Sequence, residues 1–362
     1  MPASVKVSGA WKTVSAISVK VGGAWKAVNA AYVRVGGVWK SWGSSPKYVV
    51  TVSDTSPYID AYQFSSGWGA KFSAPAANAG GGTRGIAFNP AKTVVAAGFG
   101  ASPYIHAWAW SGAGFGSKYA APGGAVPGWA MQDVTWSPNG NTVLVSGNAA
   151  SNPLNAYNWS GGFGTRYANP SQAPTGTDGA VGWAPGSNYV IVPGNYGQWA
   201  SAYNFSGGWG TKLTENYNFT NSNYSMEFIA AGNVVFSGNQ ASPYVFAHAW
   251  SGGWGSKYAN PATLPAGNIV SLVASPAQNS VVTSRGQGWA WSGGWGSKYA
   301  DVTLSSASMA FMSDGSTVFA RTTSSPFVHA WPWSPGFGTK YANPATLPAA
   351  HSGQIGHQIA ST

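Results

Sequence analysis

Apolar and polar side chains alternate one by one in short runs along this chain, and Gly, Pro, Asn and Ser interrupt the runs every few residues. From Tyr104 to Trp110 the residues Tyr104, His106, Trp108 and Trp110 fall on one side and Ile105, Ala107 and Ala109 on the other, the period of two that belongs to a β-strand. The same alternation returns at Tyr62-Gln63-Phe64 and Trp331-Pro332-Trp333. Large residues opposed by small ones predict sheets that interdigitate face to face, each aromatic burying roughly 150–250 Å². Most of the 20 Trp are therefore expected in a core.

Two repeats are nested in this pattern. Val5-Lys6-Val7-Ser8-Gly9-Ala10-Trp11-Lys12 returns 14 residues later as Val19-Lys20-Val21-Gly22-Gly23-Ala24-Trp25-Lys26, and again as Val33-Arg34-Val35-Gly36-Gly37-Val38-Trp39-Lys40. A basic-apolar alternation, a Ser-Gly or Gly-Gly turn and a Trp-bearing continuation predict three β-hairpins. Hairpins this small bury little, so residues 1–45 are expected to gain order by packing on a neighbour.

The second repeat is an aromatic-Gly turn followed by a basic residue, seven times over: Trp68 to Lys71, Phe115 to Lys118, Phe163 to Arg166, Trp209 to Lys212, Trp254 to Lys257, Trp295 to Lys298 and Phe337 to Lys340. A spacing in the forties with four strands per unit predicts propeller blades rather than a helical solenoid. The unit from Gly85 to Tyr119 reads as strands at Gly85–Phe88, Thr93–Gly98 and Tyr104–Trp110 and a fourth after Gly116. First strands are expected near Ile86, Val134, Val181, Met226, Val270 and Met309, and none precedes Tyr48–Val52. The unassigned stretch Gly353–Ala360 is expected to pair there and close the ring, removing two free sheet edges. The predicted fold is all-β: a seven-bladed β-propeller of four-stranded antiparallel blades over residues 46–362, closed by the C-terminal strand and preceded by three hairpin repeats.

Composition narrows the chemistry. With 50 Gly, 23 Pro and only 7% charged residues, many short strands fit better than helices, and with no Cys neither disulfides nor thiolate metal sites hold the fold. No apolar run is long enough to span a membrane and no secretory core is visible, so a chain made in a cytoplasm, without membrane insertion, is expected. The net charge of +10 is uneven, since residues 1–43 hold six basic residues and no acid. That arm suits nucleic acid or an acidic partner surface, or a solvated edge kept soluble by lysines. The basic residues of the seven turns are read as blunting blade edges rather than gripping nucleic acid.

No catalytic residues, metal ligands or cofactor site are expected. The eight carboxylates do not recur at matching blade positions, and Asp178, Glu215 and Asp301 are the first candidates should a paired-carboxylate hydrolase be hidden here. His106 and His329 share a blade position occupied elsewhere by Asp60, Asn155, Ser201, Phe246 and Gln287, a polar slot near a rim. His351 and His357 have no acidic companion in the sequence. No phosphate loop, dinucleotide fingerprint or nucleophile elbow occurs.

Topology directs attention to loops. First-to-second and third-to-fourth turns share one face and are monotonous; second-to-third loops and blade connections share the other and diverge. Tyr58, Tyr104, Tyr244 and Phe327, each after a Pro, with Trp129, Trp199 and Tyr217, are the candidate ligand- or partner-binding residues on that second face. In the arm, Trp11, Trp25, Trp39, Lys6, Lys20 and Arg34 are the candidate attachment residues.

The three 14-residue units resemble short repeats of structural, especially tail-associated, proteins of tailed bacteriophages, and the blades resemble a WD-repeat-type propeller, without a Trp-Asp dipeptide at any strand end. The first resemblance implies a virion component present in several copies, docked on other virion proteins through residues 1–43, with the propeller facing outward, toward a host-surface glycan or protein, or bridging other subunits. A non-enzymatic tail fibre, adhesin or accessory tail or capsid subunit is the leading expectation. A carbohydrate-binding propeller lectin is the alternative, and a polysaccharide-degrading enzyme the third.

Overall fold

The computed structural model describes residues 47–75, 81–123, 131–147, 153–174, 179–194, 200–213, 223–304, 307–351 and 357–362, and the backbone of six short strands between residues 4 and 42. The chain divides into two compact units, residues 1–47 and 48–362. In the first, Ser4–Val7 pairs with Ala10–Thr13, Ser18–Val21 with Ala24–Ala27, and Ala31–Val35 with Val38–Trp42, each an antiparallel two-stranded sheet. The register sets Lys6 opposite Trp11, Lys20 opposite Trp25 and Arg34 opposite Trp39, so each expected attachment pair shares one rung.

The second unit is an all-β propeller of seven blades, and no helix occurs among the described residues. Blade two runs Thr83–Phe88, Val94–Phe99, Ile105–Ser111 and Gly114–Lys118 from the axis outward, the first three within a residue or two of the strands read from the sequence and the fourth starting earlier, inside the expected turn. Blades three to six repeat this meander. Blade six starts at Leu272–Ala274, slightly beyond the expected Val270.

Ring closure occurs in blade one, whose strands run Ile359–Ser361, Lys47–Val52, Ile59–Phe64 and Trp68–Lys71. Ile359 lies opposite Thr51 and Ser361 opposite Val49. The closing strand is shorter and later than the Gly353–Ala360 expected, and residues 352–356 lie outside the described residues. The described part of the connection before it is anchored at several points. Tyr62 Oη donates to Thr346 O (3.0 Å), Asp60 Oδ2 accepts from Ala349 N–H (3.1 Å), and Asp54 N–H donates to Ala350 O (3.1 Å). Arg321, 1% exposed, donates to Val52 O (2.9 Å), Phe327 O (3.0 Å) and Ala349 O (2.6 Å), tying blade seven to blade one.

Blade seven departs from the four-stranded expectation. Ala307–Phe311, Thr317–Thr322 and Val328–Pro332 form three strands, and the expected fourth, around Phe337–Lys340, is reduced to one bridge between Trp333 and Phe337. Pro332 explains this. Its carbonyl accepts from Gly338 N–H (2.9 Å), so its nitrogen faces the same outer edge and has no hydrogen to return.

The cores lie between blades. Trp108 and Trp110 pack with Val50, Val52, Ile59 and Ala61 of blade one, while Ile105 and Ala107, on the other side of the strand, pack against blade three. In every blade the last aromatic of the third strand meets the turn aromatic edge to face: Phe64–Trp68, Trp110–Phe115, Trp159–Phe163, Phe205–Trp209, Trp250–Trp254, Trp291–Trp295 and Trp333–Phe337, with centroids 5.0–5.4 Å apart. Such pairs contribute about 0.5–1.5 kcal/mol each beyond their burial. The repeated aromatic-Gly turn is thus a packing device.

Candidate functional site

The innermost strands pass the axis with one residue each facing inward. These are Ala87, Thr135, Gly182, Val273, Ala310 and Ala360 in six blades and Glu227 in the seventh, and they line a cavity of about 490 Å³. Small side chains keep the axis open, and rim residues such as Trp136, Trp183 and Pro276 frame its mouth. That mouth lies among the first-to-second turns, the face that looks monotonous in sequence.

Two residues before the inward-facing position, side-chain oxygens stitch blade to blade. Ser225 Oγ accepts from Leu272 N–H (3.3 Å), Ser271 Oγ from Met309 N–H (3.1 Å) and Ser308 Oγ from Gln358 N–H (3.1 Å). In blade three this position is Asp133, fully buried, and its longer side chain does more. Oδ2 accepts from Val181 N–H (3.0 Å) and from His357 Nδ1 (2.9 Å), while Oδ1 accepts from His357 N–H (2.9 Å). Asp133 therefore reaches past blade two to grip the closing segment of blade one. Gly85 makes the passage possible, because a Cβ there would stand 2.7 Å from Asp133 Cα and Val134 N. His357 in turn accepts at its carbonyl from Ile86 N–H (2.7 Å).

These placements set the charges. Burial pulls the His357 imidazolium down, but the charge and hydrogen bond of Asp133, helped by Glu227, reverse this and raise it to about 9. Burial pushes the Glu227 carboxyl up to about 7, with His357 opposing and Asp133 adding. Both histidines near the C-terminus thus have acidic companions in space, although none stands near them in the sequence. His351 Nδ1 lies 3.1 Å from Asp54 Oδ1, yet burial, with Arg321 and Arg84 nearby, lowers it to about 4. These partners are more than 200 residues apart in chain order, so no local spacing reveals them.

A second cavity, of about 630 Å³, opens on the same face between blades three and four. Asn139, Asn141, Asn158 and Asn188 present amides there beside the rings of Tyr167 and Trp183, and no charged side chain lines it. Asn139 Oδ1 accepts from Ser137 Oγ (2.8 Å) and Asn141 N–H (3.0 Å), which holds that amide in place.

The residues singled out from the sequence are placed as follows. Tyr58, Tyr104, Tyr244 and Phe327 occupy one repeated position, each after a cis Ser-Pro bond with φ between 61° and 66°. Each donates from its N–H three residues back, to Thr55, Ala101, Ala241 and Ser324 (2.8–2.9 Å). A positive φ at a bulky residue persists where the surroundings over-determine it. Tyr58, Tyr104 and Tyr244 lie half-buried on the blade cores, and Phe327 lies under Arg321 at 5.6 Å. Trp129, Trp199 and Tyr217 lie outside the described residues, as do Asp178 and Glu215. Asp301 pairs with Lys298 (2.6 Å) and accepts from Gln287 Nε2 (3.2 Å) at a blade rim.

The polar slot is used unevenly. Asp60 pairs with Lys71 (2.6 Å), Gln287 Oε1 accepts from Ala266 N–H (3.1 Å), and His106 and His329 stack on Trp108 and Trp331 at 11°. Among the turn cations, Lys257 lies over Phe246 at 4.4 Å and Lys298 near Trp289 at 5.9 Å. No group of three or more His, Cys, Asp and Glu suited to a metal occurs among the described residues.

Sequence reading missed Asp133 and Glu227 as a site, although a signal was present. Each is the one acid at a blade position otherwise held by Gly, Ala, Ser, Thr, Val or Gln. Their failure to recur was itself the mark.

No family model matches the chain, and no curated protein matches it. Solved structures do. A functionally unknown protein from Desulfotomaculum acetoxidans DSM 771 aligns with a TM-score of 0.62 and 11% identity over 84% of this chain and 99% of that one. A chain in the crystal structure of the mitotic checkpoint complex aligns with a TM-score of 0.54 and 14% identity over 74% of this chain and 80% of that one. At such identities the likeness shows the fold alone.

Proposed function

We propose that this propeller is a non-enzymatic structural and recognition subunit of a larger assembly, with the basic hairpin arm as its attachment device. The observation that supports this is the arm itself. Three successive two-stranded sheets with a Lys or Arg opposite a Trp on each have too little to bury on their own, and they precede a ring whose aromatics are spent on blade packing. Their resemblance to repeats of tailed-phage structural proteins makes a virion the assembly of choice, as a tail fibre, adhesin or accessory tail or capsid subunit. The chain would be made in the host cytoplasm and carried in several copies on other virion proteins, without a cofactor. Mass spectrometry of purified parent particles tests this. The chain should co-purify with particles, and a chain with Trp11, Trp25 and Trp39 replaced by Ser should not. Absence of the wild-type chain from particles sinks the proposal.

One observation favours a second reading, a carbohydrate-binding propeller. The groove between blades three and four places several amides beside aromatic rings and carries no charged side chain, the chemistry that suits a neutral saccharide. A glycan array with the full chain and with N158A/N188A decides it: binding that the double variant loses supports a lectin, and equal signals from both remove the groove from consideration.

A further inference from the structure

We infer that the axial cavity is a binding site for a compact organic ammonium ion, with Glu227 as its counter-ion. The cavity's volume, about 490 Å³, lies in the range of small-molecule sites. Its wall is mixed, with somewhat more apolar than polar surface, and Glu227 is the only carboxylate among its lining residues.

The charges around Glu227 come from three places. Asp133 and His357 form one unit: the carboxylate takes both the His357 imidazole and its backbone N–H, so the imidazolium is already neutralised. Lys92 stands at the mouth, exposed, where its ammonium reaches Ser361 O (3.4 Å) and lies 5.7 Å from the Phe88 ring. The Glu227 side chain has no hydrogen bond among the described residues, and burial raises its carboxyl. A ligand that brings one positive charge on an apolar body supplies what this wall lacks. Trp136 and Trp183 stand among its lining residues, and a ring met on its face attracts such a cation.

Choline is the probe, because its charge does not titrate, and 3,3-dimethylbutan-1-ol is its neutral isostere. Isothermal titration on the full chain at pH 8 should detect choline, with the neutral isostere and acetate each weaker by at least about tenfold. Glu227→Gln should lose at least about tenfold in choline affinity, and Glu227→Asp should fall between. Affinity should rise from pH 6 to pH 8 as Glu227 ionises, with Asp133, His357 and Lys92 the other charged groups that face it. Thermal melts of the variants confirm folding. Equal binding of choline and its isostere, preference for acetate, undiminished choline binding by folded E227Q, or no choline binding by the wild type up to about 10 mM would each overturn the inference.

Discussion

Replacing Asp133 by Ala should loosen the seam where the closing segment of the ring is held. The carboxylate receives three donors, the Val181 N–H, the His357 N–H and the His357 imidazole, at 2.9–3.0 Å, and it is fully buried. Leaving a buried donor unpaired costs about 1–3 kcal/mol, and removing one partner of a buried ion pair costs about 3–5 kcal/mol. The His357 side chain is 26% exposed and recovers part of its loss from water, so D133A is expected to lose about 3–5 kcal/mol in all. D133N keeps one acceptor and should lose roughly half as much.

The pH dependence makes this prediction specific. His357 sits at about 9 in the folded chain and near 6.5 when unfolded, so its contribution is complete below pH 6.5 and is lost as pH rises through 9. A shift of that size corresponds to about 3 kcal/mol. Urea unfolding followed by tryptophan fluorescence at pH 6.5, 8 and 9.5 should show this decline in wild type and its absence in D133A. A double-mutant cycle with His357→Ala isolates the pair. The reasoning is refuted if D133A loses less than about 1 kcal/mol at pH 6.5, or if its decline from pH 6.5 to 9.5 matches the wild type.

Three further outcomes are expected. Arg321→Lys keeps the charge but not the fork that reaches the carbonyls of Val52, Phe327 and Ala349, so it should lower the midpoint of urea unfolding by the equivalent of about 2–4 kcal/mol; an unchanged midpoint contradicts the clasp. Deleting residues 357–362 exposes the edge of Lys47–Val52, and size-exclusion chromatography with light scattering should then report self-association, whereas a monomer with unaltered melting would argue against closure. Burial lowers His106, His248, His329 and His351 to about 4, so the unfolded chain binds more protons between pH 6.5 and 4 and stability should fall across that window; a flat melting temperature from pH 6.5 to 4.5 would count against these neutral placements.

Blade number, strand order and the hairpin arm were legible in the residues because they rest on local pattern. Alternation sets the strands, Gly and Pro set the turns, and each blade repeats the same short-range choices, so the Phe337 turn announces itself as the Trp68 turn does. Pro332 was visible too, but its effect on the fourth strand depended on which way its nitrogen faces, which the sheet decides. The four Pro-aromatic loops were found by their spacing, while the backbone geometry that tucks their rings half under the blades was not.

Ring closure lies between the two cases. Counting strands showed that one was missing at the start and spare at the end, yet the register that sets Ile359 opposite Thr51 came from packing. The axial site is wholly tertiary. Asp133, Glu227 and His357 come from three different blades, and their protonation follows from burial and from one another. Hydrophobic alternation acts between neighbours along a strand, so the chain order carries it; the electrostatics of a closed ring act across its centre, and only the fold brings those residues within reach.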